Sequence, residues 1–126
     1  KIADAGMVLR RGVEAGEALG ADPAAEFGAI AERVVALTAD SPDQLVTCIA
    51  GGILLSDFLP TRTFELVVHG LDIARAAGLP TDPPEVPLRR ALDLAASLAL
   101  RSGEGPRMLL ALTGREELGR GFSVLG

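Results

Sequence analysis

The chain has 126 residues, 48% of them apolar, a net charge of −5 and one cysteine. That length suits a single domain, residues 1–126, with a core that needs no staple, and a lone Cys48 excludes an internal disulfide and a cysteine-based zinc site. With four Phe and no Trp or Tyr the interior must be Leu, Val, Ile and Ala, which suits packed helices better than a β-sandwich. No basic run is present, which argues against nucleic acid, whose phosphates need clustered Lys and Arg. No apolar run is long enough to span a bilayer and no secretory signal is visible, so no membrane role is expected and a reducing cytoplasm fits.

Residues 1–19 carry Ile2, Ala5, Val8, Leu9 and Val13 at loose helical spacing and predict a helix that Gly20 stops. Gly6, Gly12 and Gly16 each weaken it by about 1 kcal/mol relative to Ala, and fit close packing against a neighbour. The chain opens at Lys1 inside this pattern, without a Met, so a longer parent polypeptide is expected. Asp22-Pro23 is an N-cap followed by proline at the first helical position. The helix it starts runs to about Ala39, with Phe27, Ile30, Ala31, Val34, Val35 and Leu37 apolar and Glu26, Glu32 and Arg33 solvated. Ser41-Pro42-Asp43 reads as a turn.

From Leu45 to Asp57 two short apolar runs flank Gly51-Gly52, which predicts a β-hairpin with those glycines as its two-residue loop. The rival, a continuous buried helix, would carry two adjacent glycines at about 2 kcal/mol. Cys48 reads as a small apolar filler rather than a nucleophile, since no positive neighbour or helix N-terminus is near it in sequence.

Pro60 to Gly78 is the stretch around which the rest is arranged: a helix of about five turns, N-capped by Thr61 and stopped by Gly78 before Pro80. Phe64, Val68 and Leu71, Val67 and Ala74, and Leu66 and Ile73 place apolar side chains nearly all round it, the signature of a buried helix. Glu65 and His69 stand at i, i+4 within it, with Asp72 next on the same stripe. Burying a carboxylate and an imidazole costs several kcal/mol unless both are paired, and a bridging divalent metal is one solution. On those two residues alone a plain Glu–His hydrogen bond, in a core or on a stripe open to water, outweighs the metal. The weight moves toward metal because His69 is the only histidine and sits at the centre of the most apolar helix.

Leu79 to Pro87 holds four prolines and is an irregular connection. Pro87 opens the next helix, to about Arg101, with Leu88, Ala91, Leu92, Ala95, Leu98 and Ala99 as its stripe. Residues 102–106 break it, Arg107 to Thr113 form a short helix ended by Gly114, and Phe122 to Leu125 are compatible with one short strand.

The segment LLSDFLPTRTFELVVHGLDIARAAG, followed by a helix, then LLALTGR and a terminal GFSVL, resembles the mycothiol-dependent maleylpyruvate isomerase-like proteins of the DinB/YfiT-type metal-binding superfamily, over roughly Asp22 to the C-terminus. The resemblance implies a mainly α fold, a DinB-like four-helix bundle, here without its N-terminal helix, with a small hairpin near 45–56 and extra C-terminal helices. It implies a divalent metal, zinc in the isomerase, held by an early-helix His and by a Glu and a His four apart, which match Glu65 and His69. The early His has no counterpart, because His69 is alone. The metal of the family activates mycothiol for addition to an unsaturated acid or transfer to an electrophile. Asp72 is then a candidate to orient His69. Arg62 and Arg75, which flank the stripe, are candidates to hold a substrate carboxylate, and Arg115 in the L-T-G-R block is a candidate at the pocket mouth. For the three arginines the plain alternative is surface charge. A homodimer is compatible with this reading. The alternative function is a non-catalytic helical binding or dimerisation module that kept the fold and lost the metal.

Overall fold

The computed structural model describes residues 5–48 and 51–125, and among these the chain is mainly helical with one small antiparallel hairpin. It divides into two compact units, residues 1–42 and 43–126.

The first unit holds α1 (Ala5–Ala18) and α2 (Pro23–Ala39). Gly20, at φ 70°, turns the chain between them, because a positive φ is open to glycine and strained for other residues. Asp22 caps α2 as its sequence predicts: its Oδ1 accepts the Ala25 N–H at 3.1 Å, and Pro23 occupies the first turn, where its missing N–H is not needed. None of the described residues of this unit is buried, and Phe27, Val34, Val35 and Leu37 are exposed on α2.

The second unit starts with β1 (Leu45–Cys48) and β2 (Gly51–Leu54), paired Leu45 to Leu54, Val46 to Ile53, Thr47 to Gly52 and Cys48 to Gly51. The hairpin is therefore present, but Gly51 and Gly52 are its second strand and not its loop; residues 49 and 50, between the strands, lie outside the described residues. Gly52 has a local reason to lack a side chain, since a Cβ there would stand 3.2 Å from the Leu45 side chain. Val46, Cys48 and Ile53 are the half-buried positions of the hairpin, as alternation requires.

β2 runs without a break into α3 (Leu55–Ala77), which begins five residues before the expected Pro60. Thr61 is not its cap; its hydroxyl donates to the Phe58 carbonyl at 2.7 Å. The cap comes from outside the helix. Asp43 accepts the Ser56 N–H at 2.9 Å on Oδ1 and the Ser56 hydroxyl at 2.9 Å on Oδ2. The Leu55 N–H donates to the Gln44 carbonyl at 2.9 Å, so the first residue of the helix is also one more rung of the hairpin. Pro60 sits inside the helix and cannot donate to the Ser56 carbonyl. Gly78, at φ 67° and ψ 26°, ends α3 as predicted: Leu79 N–H to Ala74 O and Gly78 N–H to Arg75 O form the paired bonds of a Schellman stop.

α4 (Glu85–Ser102) and α5 (Gly105–Leu112) complete the unit. α4 packs against α3 on one side and α5 on the other. The buried side chains among the described residues are small: Val67 of α3 and Ala91 and Ala99 of α4, of which Ala99 alone is at 0% exposure. Alanines at these contacts let two helix backbones approach closely. The expectation that α3 is buried on all sides is overturned, since Val67 alone of its residues is buried and Leu66 and Ile73 are each 67% exposed. Beyond α5 the chain forms turns and no strand at 122–125. The tail is held by Arg107, which reaches Glu104 at 3.7 Å and Glu116 at 3.5 Å and lies over the Phe122 ring at 5.1 Å. No helix among the described residues is long and apolar enough to cross a membrane.

Candidate functional site

α3 turns by about 100° per residue, which sets Glu65, His69 and Asp72 on one stripe with Arg62 one turn before them. Around the same axis Val67, which fixes the side facing the core, lies roughly 160° from both Glu65 and His69. The stripe is therefore the outer face of α3. His69 is 67% exposed and Glu65 44% exposed at the side chain. The premise that these two groups are held in a dehydrated interior is not met in this structure, because the helix buries its Val67 side and leaves the opposite side to solvent.

The three side chains nonetheless come together. His69 Nε2 lies 3.0 Å from Glu65 Oε2, and His69 Nδ1 lies 3.8 Å from Asp72 Oδ2, so each ring nitrogen faces a carboxylate. In water such exposed helical pairs are worth about 0.2–0.5 kcal/mol each, too little to explain the arrangement as a device for stability. Leu66 and Ile73 flank His69 on the same outer face, each largely exposed. Among the described residues no group of three or more His, Cys, Asp or Glu side chains is placed to enclose a metal ion. Glu65 and His69 present two convergent donors, and Asp72 approaches the other nitrogen of the same imidazole.

The arginines are dispersed. Arg62 lies over the Phe58 ring at 5.0 Å and its Nε donates to Thr61 Oγ1 at 3.2 Å. It shares the stripe with Glu65, while Arg75 stands in the last turn, where a cation complements the helix dipole. Arg115 donates from Nη1 to the Thr113 carbonyl at 3.1 Å, and no hydrogen bond or ion pair joins it to α3 among the described residues. Cys48 is half-buried in the hairpin and unpaired by any disulfide.

Two concavities adjoin α3. One, of about 520 Å³, runs between α3 and the proline-rich connection, with Val67, Gly70 and Leu71 on one side and Pro80, Pro83 and Pro84 on the other. The second, of about 440 Å³, lies between α3 and α4 and is lined by Ser56, Pro60, Thr63, Arg90, Asp93 and Ser97 among others. Neither is lined by Glu65, His69 or Asp72. Sequence reasoning missed both, since each is made by residues far apart in the chain. It also missed Asp43, whose role is set by Ser56 thirteen positions on; a turn aspartate ahead of a strand carries no local sign of it.

Comparison of the chain with protein-family models, with curated proteins and with solved structures finds no match.

Proposed function

We propose that the outer face of α3 is one edge of a divalent-metal centre, zinc as the family resemblance implies, in an enzyme that handles a low-molecular-weight thiol. The observation that carries this is the convergence of His69 Nε2 and Glu65 Oε2 at 3.0 Å. A carboxylate oxygen and an imidazole nitrogen are zinc donors, and Asp72, 3.8 Å from the other ring nitrogen, would orient the histidine on closing to hydrogen-bond distance. A cation between the two donors requires that Nε2 carry no proton, and Asp72 stands 3.8 Å from Nδ1, on the side away from those donors. Two donors are fewer than the three of a catalytic zinc site, so a third comes from outside the described residues. A zinc with an open position lowers the pKa of a bound thiol and so supplies thiolate near neutral pH.

In this reading Leu66 and Ile73 mark a face built to be covered, by a further helix or by a second copy of the chain, as in a four-helix bundle of the DinB type. Covering would dehydrate Glu65 and His69 and strengthen their hold on a cation. The thiol is mycothiol if the family resemblance holds, and its partner is a small electrophile or unsaturated acid. Arg62, one turn before Glu65, would meet a carboxylate at that face on leaving the Phe58 ring; Arg115 rests on the resemblance alone. Metal analysis of the purified chain tests the proposal. We expect about one zinc per chain with three or more ligands, lost in Glu65→Ala and in His69→Ala. Protein without stoichiometric metal, unchanged by either substitution and by added zinc, refutes it.

The exposure of the pair favours a second reading, a helical association module without metal. Light scattering on the eluting protein separates the two: a stable oligomer without bound metal supports the module, and a zinc-bearing protein supports the enzyme.

A further inference from the structure

Gly70 has no evident reason to be glycine. It lies in the middle of α3, and glycine is among the poorest residues in a helix. Its φ is not positive, and a Cβ built on it meets nothing within 4 Å, so neither backbone conformation nor packing within the chain demands it. It lies in the 520 Å³ groove, with Val67 and Leu71 beside it. Gly12, Gly16 and Gly28 are equally open helix glycines, so it is the groove that singles out Gly70.

The opposite wall is formed by Pro80, Pro83, Pro84 and Pro87. Proline fixes φ, so this wall is largely formed before a ligand arrives. The volume lies within the range of small-molecule sites, about 300–1,000 Å³. One turn of a helix with its side chains, about 10–12 Å across and 5.4 Å tall, would by itself fill roughly 420–610 Å³. The groove thus suits a compact molecule better than a docking helix. Asp82 is the only ionisable residue lining it, and no ion pair to Asp82 is present among the described residues.

From this juxtaposition of an apolar floor, a rigid proline wall and one unpaired carboxylate, we propose that the groove binds a small apolar organic cation. The hydrocarbon body lies over Gly70 and the ammonium group is at Asp82. None of the proposed metal donors Glu65, His69 and Asp72 lines the groove, although Leu66 does, so a segment covering Leu66 would border it.

The test is a titration of the ¹⁵N-labelled chain with 1-naphthylmethylamine, a cation at neutral pH, and with 1-naphthylacetate, a similar body carrying the opposite charge. Saturable amide shifts confined to residues 63–74, 81, 82, 85 and 86 are expected, with the amine bound roughly two- to fivefold more tightly, the preference that one exposed charge pair supports. Asp82→Asn should bring that ratio below about twofold, which separates the local carboxylate from the overall negative charge. Gly70→Leu should weaken both probes by about tenfold or more by filling the floor. Thr81→Trp, on the facing wall, gives a second block should Gly70→Leu fail to fold. The proposal is overturned by shifts spread without saturation over α2, α4 and α5, by equal binding of acid and amine, by unchanged binding in a folded blocking variant, or by silent groove amides because another polypeptide segment fills the site.

Discussion

Removing the carboxylate at position 43 should loosen the start of a helix that begins twelve residues later. Asp43 makes two bonds to Ser56, at 2.9 Å to the backbone N–H and 2.9 Å to the hydroxyl, and α3 has no cap from its own N-cap residue, Leu54. Losing a capping side chain costs about 0.5–2 kcal/mol, and a carboxylate at a helix start adds about 0.3–1 kcal/mol at low salt. Both bonds are exposed, which places Asp43→Ala near the middle of that range, about 1–1.5 kcal/mol. For a chain of this size that is a fall in Tm of about 3–7 °C. Asp43→Asn keeps an acceptor without the charge and should lose about half as much. Urea unfolding followed by far-UV circular dichroism measures the series, and a double-mutant cycle with Ser56→Ala should return a coupling of about 0.5 kcal/mol. The charge component should shrink in 1 M salt. A loss below about 0.3 kcal/mol for Asp43→Ala, or zero coupling to Ser56, refutes the assignment of Asp43 as the cap.

Two further substitutions probe the packing and the stripe. Ala99→Leu places three extra carbons where the side chain has no exposed surface, against α3 or α5, and should destabilise by about 1–3 kcal/mol in the same urea assay; a neutral result would mean the helices are not closely packed there. His69→Ala in metal-free protein should change stability by less than about 0.5 kcal/mol, because its partners are exposed, and a larger loss would show that the pair is covered in solution.

The signals that sequence carried faithfully were local ones. Asp22-Pro23 and Gly78 act on backbone groups within five positions, and the structure places both helix ends where those residues predict. Pro60 misled because proline usually marks a helix start, whereas here the chain entered the helix earlier through a bond to Gln44 and a carboxylate at 43. Gly51-Gly52 had the right chemistry for a hairpin, but the pairing register placed them in the strand. Apolar residues on all sides of α3 showed composition and not burial; the side that packs is the one carrying Val67, and it is set by contact with α4, which is distant in sequence. At the candidate site, the spacing of Glu65, His69 and Asp72 predicted that they would meet, and they do. Spacing had no means of telling which way that stripe would face.

The joint between the hairpin and α3 ties two kinds of secondary structure into one mechanical element. The Leu55 amide closes the last rung of the ladder while Ser56 is gripped from the opposite strand's approach, and the proline five residues on from Leu55 leaves the Ser56 carbonyl without its usual helical donor. The opening turn of the rod is thus fastened more to the ribbon than to the rod. Unzipping the ribbon and fraying that turn become a single event, with Pro60 as the seam at which it halts, so amide exchange at 55 and 56 should follow the rhythm of the strands and not that of residues 64–77.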